Sequence, residues 1–109
     1  MKKDNQVYLK DISESIGRIE SYVAGSGYDE FSKNLMMQDA IIRQFEIIGE
    51  AAGKLSEDFL KDHSDFPARE AAAMRNLLIH EYNYVNIDQI WKTVQEDLPK
   101  LKEKIAGLI

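Results

Sequence analysis

Apolar residues recur at alternating steps of three and four along most of this chain of 109 residues. That spacing brings them to one side of an α-helix, so the chain is predicted to fold by packing helices together. The first run predicts a helix over residues 4–24 that ends at Gly25, because glycine accepts the conformation of a helix end cheaply. A second run predicts a helix over residues 30–53. The two apolar faces consist of Leu9, Ile12, Ile16, Ile19 and Val23 in the first helix, and of Ile41, Phe45, Ile48, Ala52 and Leu55 in the second.

The helical pattern continues in the second half of the chain. Residues 55–63 predict a short third helix or an extension of the second, with Ser56 as its N-cap. The segment Ser-Asp-Phe-Pro at residues 64–67 predicts a loop, since proline suits the first turn of a following helix. That helix is predicted over residues 67–81.

A last long helix is predicted from Ile87 onwards, with Asn86 or Asp88 as its cap. Pro99 lies inside its apolar pattern, so a kink is expected there rather than a stop. No internal repeat or linker interrupts the sequence. We therefore predict one all-α domain over residues 1–109, an up-and-down bundle of four or five helices.

Composition limits the chemistry of the chain. It has no cysteine, which excludes disulfides, thiolate zinc sites and cysteine nucleophiles. Its net charge of −5 argues against a broad basic surface for nucleic acid, so an RNA substrate would need a local cationic site or a partner's charge. No apolar run approaches the length of a membrane span, and the N-terminal residues do not resemble a signal peptide. We expect a cytoplasmic location without membrane contact.

The sequence from Met74 to Tyr82 reads Met-Arg-Asn-Leu-Leu-Ile-His-Glu-Tyr and lies near the end of the predicted helix 67–81. Arg75 carries a permanent positive charge and His80 titrates near neutral pH, the two properties that metal-free RNA cleavage requires. At about 100° per residue, Asn76 and His80 lie about 40° apart, but Arg75 and His80 diverge by about 140°. Either the long arginine reaches round the helix, or two protomers combine their groups across a two-fold axis. We prefer the second interpretation, which makes the homodimer part of the mechanism.

These residues suggest a reaction. His80 would act as general base or acid for attack of a ribose 2′-hydroxyl on the adjacent phosphate. Arg75 would stabilise the charge on the phosphate oxygens, and Asn76 would orient His80 or bind the substrate. No cluster of side chains has the spacing of a metal site, so no metal or cofactor is expected. The alternative from these residues alone is structural: a histidine and an arginine near a helix end can simply bind its free carbonyl groups.

Two further features of the predicted helix 30–53 have open interpretations. Asp39, Arg43, Glu46 and Glu50 form a polar stripe, which is either a solvated face or, with Arg43 and Glu46 tuning the site, one wall of the cleft beside His80. Small and apolar residues form a smooth face where another helix can approach closely. That helix belongs either to a dimer mate or to the same chain. The residues of this face are Ile42, Gly49 and Gly53.

The motif Arg75-Asn76, three apolar residues, His80, one residue, Tyr82 resembles the signature of HEPN domains and, within them, of the HepT-like toxin family. Blocks along the rest of the chain look similar in order and spacing to the family's other helices. They are Tyr8-Leu9-Lys10-Asp11-Ile12 with Ile16-Gly17-Arg18-Ile19-Glu20, Asp39-Ala40-Ile41-Ile42-Arg43, Glu46-Ile47-Ile48-Gly49-Glu50-Ala51, and Val85 with Trp91 and Leu98-Pro99. One departure is Ala68, which stands where the family commonly has tryptophan after the loop proline.

The resemblance implies an all-helical dimer with ribonuclease activity, acting as the toxin of a toxin–antitoxin pair. It also implies a partner, a minimal nucleotidyltransferase antitoxin that neutralises the toxin by transferring AMP to the motif tyrosine, which here matches Tyr82. The rival hypothesis is a non-catalytic helical subunit that recognises substrate for a separate nucleotidyltransferase. The rival explains the acidic charge more easily but gives no reason for Arg75, Asn76, His80 and Tyr82 to occur together.

Overall fold

The computed structural model describes residues 4–79 and 86–109, with side chains for residues 4–75 and 86–109. Within these residues the chain is a bundle of helices, as predicted. The helices are α1 (Asn5–Val23), α2 (Tyr28–Lys33), α3 (Leu35–Gly53), α4 (Glu57–Asp62), α5 (Ala68–Ile79), α6 (Ile87–Lys92) and α7 (Leu98–Ala106), with a π-helical turn over Thr93–Asp97 that joins α6 to α7.

Helix α3 lies at the centre of the bundle, between α1 and α5, and α7 closes the core against α1. The predicted apolar faces of α1 and α3 are buried apart from Val23 and Ala52, which are partly buried, because each third or fourth residue points to the same side. No helix of the described residues is long and apolar enough to cross a membrane. The fully buried side chains include Leu9, Ile12, Ile19, Phe31, Ile41, Phe45, Ile48, Met74, Ile90 and Leu101.

The predicted helix over residues 30–53 is wrong at its N-terminal end, where the structure has two helices separated by Asn34. Asn34 has extended backbone angles (φ −111°, ψ 93°). Its side-chain oxygen accepts a hydrogen bond from the Met37 N–H at 2.9 Å and so caps α3. The side chain of Gln38 donates to the carbonyl of Phe31 at the end of α2, also at 2.9 Å. An asparagine side chain competes with the backbone for such bonds, which favours a break over a continuous helix.

The predicted caps of two other helices are confirmed. The hydroxyl of Ser56 accepts from the Phe59 N–H at 3.1 Å and begins α4, so residues 57–62 form a separate helix. The side chain of Asn86 accepts from the Gln89 N–H at 3.2 Å and begins α6, which decides between the two predicted caps.

The last helix runs through Pro99 without stopping, as predicted. The irregularity there is the π-helical turn, in which the Leu98 N–H donates to the carbonyl of Thr93, five residues earlier. Proline has no N–H and its ring crowds the carbonyl four residues before it, so a widened turn lets the helix continue.

Candidate active site

Helix α5 approaches α3 most closely where Arg75 meets Gly49. A Cβ atom added to Gly49 would lie 2.7 Å from the Cβ of Arg75 and 3.4 Å from its Cα, closer than side chains normally pack. The glycine is therefore required for this approach of the two helices. Of the two interpretations of the small-residue face, the contact at Gly49 supports packing within the chain.

The two helices run in opposite directions. A pocket between them is bounded by Gly53 of α3, four residues after Gly49, and by Ala72 of α5, three residues before Arg75. From Arg75, α5 thus continues towards the N-terminal half of α3. With a rise of about 1.5 Å per residue, Ile79 lies about 6 Å further along, at about the level of Phe45 and Glu46.

Arg75 is exposed at the surface of α5. The backbone and the start of its side chain are fixed against α3 by the close contact with Gly49. Its guanidinium keeps its positive charge at any physiological pH. The base of the Arg75 side chain thus has a defined position, and its exposed guanidinium is a cation of the kind that binds a phosphate.

The other motif residues are only partly described. Asn76 belongs to α5, but its side chain lies outside the described part of the structure. His80 and Tyr82 lie outside the described residues altogether. The convergence of His80 with Arg75 and the position of the Tyr82 hydroxyl therefore stay predictions.

Arg43 and Glu46 of the polar stripe form an ion pair with each other. The nitrogen–oxygen distance is 3.4 Å, and the two side chains are 64% and 44% exposed. Such an exposed pair contributes little to the stability of the fold, so its interest lies in where it is placed relative to the candidate site. Glu46 lies about 60° around α3 from Gly49, next to the line that faces α5, and at the level that Ile79 reaches. A role beside His80 stays a prediction for both residues.

A contact that the sequence did not predict ties α2 to the beginning of α6. The hydroxyl of Tyr28 donates to the carboxylate of Asp88. This hydrogen bond, with lesser contributions from desolvation and from the charges of Asp88 and Asp29, raises the pKa of Tyr28 above its usual 10. The Trp91 ring packs on Phe31 with its centroid 5.0 Å away. Since Asn86 begins α6, these two contacts with α2 fix the position at which the chain enters α6 after the motif.

The described residues contain no group of three or more histidine, cysteine, aspartate or glutamate side chains that could hold a metal ion.

Comparison with known proteins places the chain in a family. The sequence model of the family described as Ribonuclease HepT-like matches residues 12–108. A protein of Thermococcus cleftensis named "Probable ribonuclease HepT" is 43% identical over 108 residues, which cover 99% of this chain and 98% of the relative. The chain therefore belongs to the ribonuclease HepT-like family. No solved structure matches it.

A second relative is larger. A protein of Methanocaldococcus jannaschii named "Gamma-glutamylcyclotransferase and putative RNase" is 43% identical over 109 residues, which are all of this chain but 49% of the relative. The chain thus spans about half the length of that protein.

Proposed function

We propose that this chain is a metal-independent endoribonuclease that acts as the toxin of a toxin–antitoxin pair. The observation that carries the proposal is the exposed Arg75 at the start of the Arg-X4-His-X-Tyr motif, with the base of its side chain packed against Gly49. Membership of a ribonuclease family supports RNA as the substrate. The simplest test is cleavage of RNA by the purified chain in EDTA.

In the proposed reaction the ribose 2′-oxygen attacks the adjacent phosphorus atom and the bond to the 5′-oxygen breaks. His80 of one protomer takes the proton of the 2′-hydroxyl, and an imidazolium delivers a proton to the departing 5′-oxygen. Arg75 stabilises the negative charge on the non-bridging oxygens, and Asn76 orients His80 or the substrate. The products are a 2′,3′-cyclic phosphate and a 5′-hydroxyl.

The motif supplies one imidazole per chain, that of His80, which cannot be base and acid at once, and this supports a homodimer with a shared groove. The bundle also has exposed apolar side chains at one end: Leu35 is 74% exposed and Met36 is 82% exposed in the first turn of α3. Helix α5 runs from Arg75 towards this same end of α3. We propose that a second copy of the chain covers Leu35 and Met36, because that contact brings two motifs to one end of the dimer.

The double variant Leu35→Glu/Met36→Glu should therefore be a folded monomer, while the wild-type chain should have twice the mass of one chain. Light scattering after gel filtration measures this, and RNA cleavage should fall together with the dimer. Val7→Glu is the matched control, since Val7 is also an exposed apolar residue, on α1. A dimer that persists in the double variant would remove this surface from the interface.

We further propose that the partner is a minimal nucleotidyltransferase antitoxin that transfers AMP to the hydroxyl of Tyr82. The phosphate of the added AMP would place an anion near the cation of Arg75 and would block RNA sterically. Tyr28 is not expected to accept AMP in this way, because its hydroxyl already donates a hydrogen bond to Asp88.

Incubation of the chain with this nucleotidyltransferase and ATP should add at least one AMP to the peptide that contains Tyr82, and RNA cleavage should fall. Mass spectrometry of the digested protein measures the modification. Tyr82→Phe should lose both the label and the inhibition, whereas Tyr28→Phe should keep both. If Tyr82→Phe were labelled and inhibited like the wild type, control would pass to another residue, with Tyr84 the next candidate.

The net charge of −5 favours a second candidate function, a non-catalytic subunit that recognises substrate for a separate nucleotidyltransferase. The two functions differ in a direct way. The subunit would bind its partner but would leave RNA intact under every condition in which it is folded.

A further inference from the structure

A pocket of about 220 Å³ lies beside Arg75, between α3 and α5. Gly53 and Ala72 bound it on these two helices, and Leu60 of α4 and the buried ring of Phe66, in the segment between α4 and α5, bound it on the other sides. Among its described side chains, that of Arg75 alone is charged or polar. The pocket is thus apolar with a cation at one edge.

Small side chains keep this space open. A Cβ atom added to Gly53 would meet nothing within 4 Å, in contrast to the tight contact one turn away at Gly49. Ala72 and Ala68 on the facing side of α5 are both exposed. The departure from the family pattern at Ala68 therefore lies on this pocket. The helices approach each other closely at Arg75 and leave a space next to it that is lined by apolar surface.

We infer that this pocket binds the base of the RNA nucleotide whose phosphate Arg75 holds. A nucleotide joins a flat ring with apolar faces to an anion, and the site joins an apolar pocket to a cation in the same way. At about 220 Å³ the pocket is smaller than sites for drug-sized ligands, so its size suits a single base. The inference rests on the proposed function, since it names the subsite that positions RNA at Arg75.

The lining also determines what kind of recognition to expect. Leu60, Phe66 and the small residues offer apolar contact, which every base can use. Sequence-specific recognition requires hydrogen-bonding groups that face the edges of a base. The described side chains around the pocket supply none besides Arg75, so the pocket should bind all four bases with similar affinity.

The experiment compares two small ligands that share a phosphate and differ in the base: adenosine 3′-monophosphate and ribose 3-phosphate. Titrations followed by NMR on the wild-type chain should give about tenfold tighter binding for the nucleotide, as expected for contact with one base. Ala72→Leu, which fills the pocket, should abolish that difference and leave the affinity for ribose 3-phosphate unchanged. Ala68→Trp should do the same from the other end of the pocket. Arg75→Ala should weaken both ligands.

The matched control is Ala106→Leu, the same change at an exposed residue of α7 that does not border this pocket. It should keep the tenfold preference, and thermal melting should show that every variant is folded. Equal binding of the two ligands by the wild type would overturn the inference. A preference for the nucleotide that survives in both Ala72→Leu and Ala68→Trp would also overturn it. That outcome would overturn it even if the two variants weakened the binding of a protein partner instead. RNA cleavage by the wild type is measured separately. If the wild type cleaves RNA but the pocket shows no preference for the nucleotide, the inference about the pocket fails while the proposed function stands.

Discussion

Replacing His80 with Ala should lower RNA cleavage about 10²–10⁴-fold, because the proton transfers at the 2′-oxygen and the 5′-oxygen then have no side chain to serve them. The rate constant for cleavage of a labelled RNA at saturating protein measures this effect directly. The loss should be largest near neutral pH, where an imidazole exchanges protons most readily. Thermal melting of the variant should stay close to that of the wild type.

The chain provides a matched control, because it has two histidines. His63 follows α4 and packs its ring on Phe59, with the ring centroids 4.5 Å apart. His63→Ala removes the same chemical group from a place where we assign it no role in the reaction, and cleavage should be unchanged. Equal cleavage by the wild type and His80→Ala would end the assignment of His80.

Replacing Arg75 with Ala should lower the rate constant of cleavage by about 10²–10³-fold, the usual effect of removing one donor that stabilises charge in the transition state. Arg75→Lys should restore only part of the rate, because an ammonium group keeps the charge but cannot form two parallel hydrogen bonds to a phosphate. Single-turnover cleavage at saturating protein separates this effect from weaker RNA binding.

Arg69 on the same helix is the control for charge alone, since it is exposed and lies six residues before Arg75. Arg69→Ala removes the same charge and should change cleavage little. Gly49→Ala completes the set: its new methyl group would collide with the side chain of Arg75, so the arginine moves while its charge stays. Cleavage should fall in this variant too, with a loss of stability of about 1–3 kcal/mol from overpacking. Equal effects of Arg69→Ala and Arg75→Ala would mean that overall charge, and not the position of Arg75, governs cleavage.

The helices and most of their ends were predictable from the sequence because the signals are local. The spacing of apolar residues gave α1 to within one residue at each end, and Ser56 and Asn86 cap helices as their side chains favour. The break at Asn34 differs from the prediction, although asparagine is itself a capping residue. The apolar pattern on both sides of Asn34 predicts one helix, but the hydrogen bond from the Met37 N–H to the Asn34 side chain favours two.

Contacts between distant parts of the chain were not predictable in the same way. The hydrogen bond between Tyr28 and Asp88 joins residues 60 apart in sequence, and no local pattern indicates it. The sequence did indicate that a helix could approach Gly49 closely, but not which helix it would be. A single sequence shows which faces are smooth, whereas the partner of each face depends on how all the helices pack. For the same reason, the spacing of Arg75 and His80 predicts that a single helix does not bring the two side chains together, but it does not show which other part of the protein would.

The chemical nature of the ends of the cleaved RNA tests the central claim most directly. We expect purified chain in excess EDTA to release fragments with a 2′,3′-cyclic phosphate and a 5′-hydroxyl, and a single 2′-deoxy substitution at the cleavage site to prevent the cut. Mass spectrometry of the fragments identifies both ends. Fragments with a 3′-hydroxyl and a 5′-phosphate, or cleavage at the 2′-deoxy position, would contradict attack by the 2′-hydroxyl and with it the roles proposed for His80 and Arg75.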